Sequence, residues 1–191
     1  PLYGLTVDLL HGDDLLDTWS KKIGFRSLRL DTTPDAAGTP FTFVINDVPI
    51  YICGANWIPD DCFLPRVTPE RYASRITQAK AANMNMLRIW GGGQYEPDYF
   101  YDLCDELGIL IWHDFMFSCM SYPSNREFLD SVQLEITQQV RRLSHHASIA
   151  LWCGDNEVIG SLNWYPETKA DPGRYLANYD RLNSLPHRIV E

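Results

Sequence analysis

Ile149-Ala150-Leu151-Trp152-Cys153-Gly154-Asp155-Asn156-Glu157 decides how this chain is read. An apolar run of strand length stops at a glycine, and a buried strand opens into a loop carrying an amide and two carboxyl groups. In barrels of alternating strands and helices, ligand-binding and reactive side chains stand at the carboxyl ends of the strands. Glu157 is therefore the first candidate for chemistry.

Upstream, residues 51–55, 84–90 and 109–113 have the same apolar, non-alternating character, as expected of parallel strands covered on both faces. Helical patterns separate them. Thr68-Pro69 reads as an N-cap and first-turn pair, with Tyr72, Ile76 and Ala79 on one face up to Asn83. Pro97 opens a second helix through Tyr99, Phe100, Leu103 and Leu107 to a stop at Gly108. Ser124-Asn125-Arg126-Glu127 has capping-box spacing and starts a third, with Phe128, Val132, Leu134, Ile136, Val140 and Leu143 as its apolar face. Asp171-Pro172 begins a fourth, faced by Tyr175, Leu176, Tyr179 and Leu182, which Pro186 is expected to end or kink. Four strand-helix units in sequence imply a parallel sheet with right-handed crossovers, the first half of a TIM (β/α)8 barrel. Gly91-Gly92-Gly93 lacks the spacing of a nucleotide-binding loop and suits close backbone approach to a ligand or a neighbouring loop.

The preceding segment has another rhythm. Residues 23–30 alternate apolar and polar, the mark of a half-buried sandwich strand. Residues 31–40 have linker composition, and Asn46-Asp47 is a hairpin turn between residues 41–45 and 49–53. The expected division is thus 1–40, the end of a β-sandwich, and 41–191, a half barrel.

Composition narrows the function classes. The chain has 191 residues, 45% hydrophobic and 21% charged, with a net charge of -9. No basic surface is available for phosphates, so nucleic acid is excluded as a partner and acidic substrates are disfavoured. No apolar run reaches the roughly 20 residues of a membrane span, and Pro1-Leu2-Tyr3-Gly4 does not read as a signal peptide. Cys53, Cys62, Cys104, Cys119 and Cys153 are odd in number and widely spaced, which suits reduced core thiols. That leans the compartment, otherwise open, toward the cytoplasm or periplasm rather than the lysosome.

The candidate groups collect at one end of the four strands: Asn56 and Trp57, Arg88 and Trp90, His113 and Asp114, then Asp155, Asn156 and Glu157. Together they describe a polar pocket with aromatic walls. Individually, Arg88 and Asp114 also fit a buried ion pair, and His113 fits a hydrogen-bonded core residue. Such a pocket suits glycoside hydrolysis, in which one carboxylic acid protonates the departing oxygen and a second carboxylate attacks or activates water. Glu157 fits the acid, with Asn156 beside it to bind a ring hydroxyl. Neither metal nor cofactor is indicated, and His145 and His146 read as surface or capping residues.

Four motifs sharpen this. Residues 54–59 (GANWIP), 83–93 (NMNMLRIWGGG), 102–108 (DLCDELG) and 152–157 (WCGDNE) resemble those of β-mannosidases in glycoside hydrolase family 2. The resemblance runs from about residue 23 to 183 and includes Asn163-Trp164-Tyr165. It implies a retaining exo-hydrolase of terminal β-D-mannose in oligosaccharides or glycoconjugates. Glu157 would be acid/base, Asn156 its partner at the sugar 2-hydroxyl, Trp90 and Trp164 parts of the subsite wall, and Arg88 and Asp114 a supporting network. Residues 1 to about 40 would close an immunoglobulin-like domain. The family's nucleophile is a Glu on the seventh barrel strand, which Glu135, Glu167 and Glu191 do not match, and its jelly-roll domain is missing. The chain is thus expected to be inactive without the remaining domains of a parent enzyme. His145-His146-Ala147-Ser148 departs from the proline usual before the fourth strand. A β-glucosaminidase, a β-galactosidase and a non-catalytic carbohydrate-binding fragment are the alternatives.

Overall fold

Gly12, at a φ of 62°, turns the chain between two long antiparallel strands, Tyr3–His11 (β1) and Asp14–Ile23 (β2). The computed structural model describes residues 1–190, and Glu191 lies outside them. Leu9, Leu15, Leu16 and Trp19 of this hairpin are more than half exposed. The strand read over residues 23–30 is two pieces, because β2 ends at Ile23 and Leu28–Asp31 (β3) begins a new sheet. Between them Arg26 donates to the carbonyls of Ala147 and Ile149, fastening the chain to the strand that ends at Cys153. Thr42–Ile45 (β4) and Val48–Ile50 (β5) form the expected hairpin, with Asn46 and Asp47 both at positive φ as a primed turn demands. β3 pairs with β4, so the segment around residue 40 is a loop joining two paired strands.

The second half is α/β. Gly54–Trp57 (β6), Met86–Ile89 (β7), Leu110–Asp114 (β8) and Ile149–Cys153 (β9) form one parallel sheet in chain order. The helices are Pro69–Ala81 (α1), Asp98–Leu107 (α2), Arg126–Leu143 (α3), the short Val158–Ser161 (α4) and Pro166–Ala170 (α5), and Pro172–Val190 (α6). The Thr68 hydroxyl caps α1, and Gly108, left-handed at φ 66°, ends α2 as expected.

Four local expectations are corrected. Residues 51–53 precede the first parallel strand, because Asn85 takes up their backbone, accepting from Cys53 N and donating to Tyr51 O. The capping box of α3 does not form: Asn125 is the N-cap without a side-chain bond, and the Ser124 hydroxyl donates to Asn178 of α6. Pro186, expected to end or kink α6, does not end it: the helix continues through this buried residue to Val190. On the predicted apolar faces, Leu134 and Leu176 are exposed, while Tyr101 and Cys104 join Phe100 in the core.

Because strand side chains alternate, the sheet has two unlike faces. Trp57, Ile89, His113 and Trp152 lie abreast on the helix side, packed against Tyr72, Phe100 and Tyr101. Asn56, Arg88 and Trp112 lie abreast on the other, with Asp114 one step further along. This second face is open, and Asn56 on the first strand is exposed.

Candidate active site

Asp114 organises the open face. It is fully buried and accepts four hydrogen bonds, from Arg88 Nε at 3.2 Å, Arg88 Nη2 at 2.7 Å, Trp112 Nε1 at 2.9 Å and the Gly91 amide at 3.1 Å. The Arg88 pair is bidentate, which fixes the guanidinium plane as well as its position. Gly91 reaches Asp114 because it lacks a side chain: a Cβ there would stand 2.6 Å from the carbonyl oxygens of both Phe115 and Phe117. The triple glycine serves close packing between neighbouring loops, and Gly92 likewise lies against the Trp90 indole.

Arg88 Nη2 also donates to Asn156 Oδ1 at 2.9 Å, which directs the amide NH2 to the opposite side. There Asn156 Nδ2 meets Glu157 Oε2 at 3.3 Å, with Ser118 Oγ and Cys119 Sγ both at 3.4 Å. Asn156 is almost wholly buried, whereas Glu157 is exposed, left-handed at φ 58°, and placed just before α4. Its neighbour Asp155 turns away: Oδ1 accepts the Val158 amide at 2.9 Å, and burial raises its carboxyl above the usual range.

Two loops hold this arrangement. Beyond the ends of β8 and β9, Asn156 N donates to Phe117 O at 2.9 Å and Cys119 N donates to Asn156 O at 3.0 Å, prolonging the parallel pairing. Tyr165 donates to Cys119 O at 3.2 Å, while the Tyr122 hydroxyl accepts the Ser118 amide at 2.7 Å.

The structure thus unites Arg88, Asp114, Asn156 and Glu157, with Asn56 on the same face. Trp90 is half-buried at the end of β7, and Trp164 is half-exposed after α4. Trp57 is not on this face. Strand alternation sends its indole into the helix layer, where Nε1 donates to the buried Glu96 at 2.9 Å. Tyr72 and Gln94 also donate to that carboxylate.

His113 proves a core residue. Nδ1–H donates to Asp114 O at 2.7 Å, Nε2 accepts from Tyr101 at 2.8 Å, and burial lowers its pKa to about 4. His146 is no surface residue: it is buried, with Nδ1 2.7 Å from Asp105 Oδ2. Of the cysteines, all free, Cys104 is buried in the core, Cys53 and Cys62 are exposed, and Cys119 stands at the site. Sequence reasoning took Tyr165 only as part of the Asn163-Trp164-Tyr165 match and missed Ser118 and Cys119. Their only signal was position, since Ser118 and Cys119 follow the third parallel strand, where a site-forming loop belongs.

No family model matches the chain. The comparison that decides its kinship is with a crystal structure of β-D-mannosidase from Dictyoglomus thermophilum, 49% identical with a TM-score of 0.77, covering 82% of this chain and 19% of that one. The chain belongs to the β-mannosidases of glycoside hydrolase family 2. Curated β-mannosidases agree: that of Capra hircus is 48% identical over 181 residues, 93% of this chain and 20% of its own length. β-Mannosidase B of Thermothelomyces thermophilus is 48% identical over 159 residues, 82% of this chain and 19% of its own length. The chain spans about a fifth of the length of the curated relatives it matches.

Proposed function

We propose that these residues form the acid/base half of a retaining exo-β-mannosidase active site, acting on terminal β-D-mannose of oligosaccharides or glycoconjugates. The observation that carries this reading is the Glu157 carboxylate at the carboxyl end of β9, held through Asn156 by the Arg88–Asp114 pair. An exposed carboxyl group beside an amide with a fixed orientation suits protonation of a glycosidic oxygen, and Asn156 would bind a ring hydroxyl by exchanging one of its present contacts for it. Trp90, Trp164 and Asn56 line the approach to it.

The parallel sheet is, in this reading, the first half of a (β/α)8 barrel within residues 41–191. Residues 1–40 end an immunoglobulin-like sandwich whose exposed apolar strands β1 and β2 pack against the rest of that domain. Retaining hydrolysis needs a second carboxylate about 5–5.5 Å from the first. The groups that meet Glu157 here are an amide and a thiol. The nucleophile belongs to the rest of a parent enzyme, and these 191 residues alone do not turn over substrate.

The test is Glu157→Gln in the complete gene product, assayed on aryl β-mannosides. A loss of about 10²- to 10⁴-fold in kcat/KM on substrates with poor leaving groups is expected. Full activity of that variant would refute the acid/base role, and turnover by the isolated 191 residues would refute the missing-nucleophile reading. Better kcat/KM on an aryl β-glucosaminide or β-galactoside than on the mannoside would refute the sugar.

A further inference from the structure

Cys119 has a second unusual feature besides its place at the site. Its φ is 57°, so Cys119 and Glu157, neither a glycine, both hold left-handed backbone where their two loops meet. Such conformations are strained for residues with a side chain and persist only where the surroundings over-determine them. The surroundings do so here: Cys119 N donates to Asn156 O, and Cys119 O accepts from Tyr165. The conformation directs Sγ to a point 3.7 Å from Glu157 Oε2, 3.4 Å from Asn156 Nδ2 and 3.0 Å from Ser118 Oγ.

We propose that Cys119 is a positioning residue for the acid/base carboxyl group: with Asn156 it makes Oε2 of Glu157 the acceptor oxygen, leaving Oε1 to carry the proton that is delivered. The inference rests on the acid/base reading of Glu157. The directions of the hydrogen bonds support it. The Ser118 hydroxyl and the Asn156 amide donate to the sulfur, so the thiol hydrogen is free to point at Oε2. Oε2 then receives an S–H and an N–H, and an oxygen accepting twice is the poorer place for a third hydrogen. A carboxyl group protonated on the wrong oxygen cannot serve as a general acid in the same geometry, because the proton must lie within hydrogen-bond reach of the departing atom.

The experiment compares Cys119→Ala and Cys119→Ser in the complete gene product, on an alkyl β-mannoside and on 2,4-dinitrophenyl β-mannoside. The first leaving group needs protonation and the second does not. Cys119→Ala is expected to lower kcat/KM by up to about ten-fold on the alkyl substrate, the upper range for one ordinary hydrogen bond, and less than two-fold on the dinitrophenyl substrate. Cys119→Ser keeps a donor on a shorter bond, further from Oε2, and is expected to recover only part of the loss. Equal losses on both substrates, or no loss on either, would overturn the proposal. Glu157→Gln run alongside separates the two readings. If it spares the alkyl substrate, the acid/base role fails. If it abolishes that turnover while Cys119→Ala leaves the leaving-group dependence unchanged, only the role of Cys119 fails.

Discussion

Lowering the pH from 7 to 4.5 should remove about 2.5 kcal/mol of stability through His113 alone. Its imidazole is completely buried, with Nδ1–H given to Asp114 O and Nε2 taking the Tyr101 hydroxyl, so the neutral ring is satisfied at both nitrogens. Protonation would put a hydrogen on Nε2 facing a hydroxyl that already donates there. If that hydroxyl turned so that its oxygen accepted from Nε2 as well as from the Glu96 amide at 3.1 Å, its own hydrogen would lose its acceptor in the core. Burial is the main cause that lowers the pKa from 6.5 to about 4, and the Arg142 guanidinium lowers it further. Between these values the unfolded chain binds a proton that the folded chain excludes, so stability rises with pH across this window and is lost as pH falls through it. At 1.36 kcal/mol per unit, the loss reaches about 2.5 kcal/mol by pH 4.5. Urea unfolding of the chain and of His113→Phe at both pH values isolates this contribution from the carboxylates, which are common to both proteins. The variant is less stable at pH 7, because Tyr101 and the Asp114 carbonyl lose their partner, and the gap between the two should narrow by about 2.5 kcal/mol at pH 4.5. A gap constant to within about 0.5 kcal/mol would refute the reasoning.

Asp114→Ala should destabilise the chain by about 3 kcal/mol in the same assay, since it strands Arg88 and two further donors, with partial relief because Arg88 is 28% exposed. A cost below about 1 kcal/mol would mean that water replaces the carboxylate. Gly91→Ala should cost at least about 2 kcal/mol, because both atoms its Cβ would meet are backbone oxygens; thermal unfolding would contradict this if it showed no drop in Tm. Thr68→Ala should cost about 1 kcal/mol through loss of the α1 cap. Ser124→Ala should affect the packing of α3 on α6 rather than a cap, so Asn178→Ala in the Ser124→Ala background should add little.

Much of the fold was legible because its signals are local. The Thr68-Pro69 start of α1, the Gly108 stop of α2 and the Asn46-Asp47 turn each follow from side-chain chemistry acting within a few residues. The misread elements failed where a distant partner competed for the same group. Asn85 claims the backbone of residues 51–53, and Asn178 claims the Ser124 hydroxyl. Pro186 sits inside α6, where it is buried against the core.

The sequence by itself determined the order of strands and helices, the kinship to β-mannosidases and the candidacy of Glu157 and Asn156, because periodicity and motifs are properties of contiguous residues. Only the tertiary structure decided which neighbours act together. A strand places adjacent residues on opposite faces, so Asn56 and Trp57 part company, as do His113 and Asp114, and no count along the chain says which of each pair meets the site. Nor could it bring Cys119 to Glu157: that contact joins two loops 38 residues apart, through backbone bonds formed only once β8 and β9 are paired.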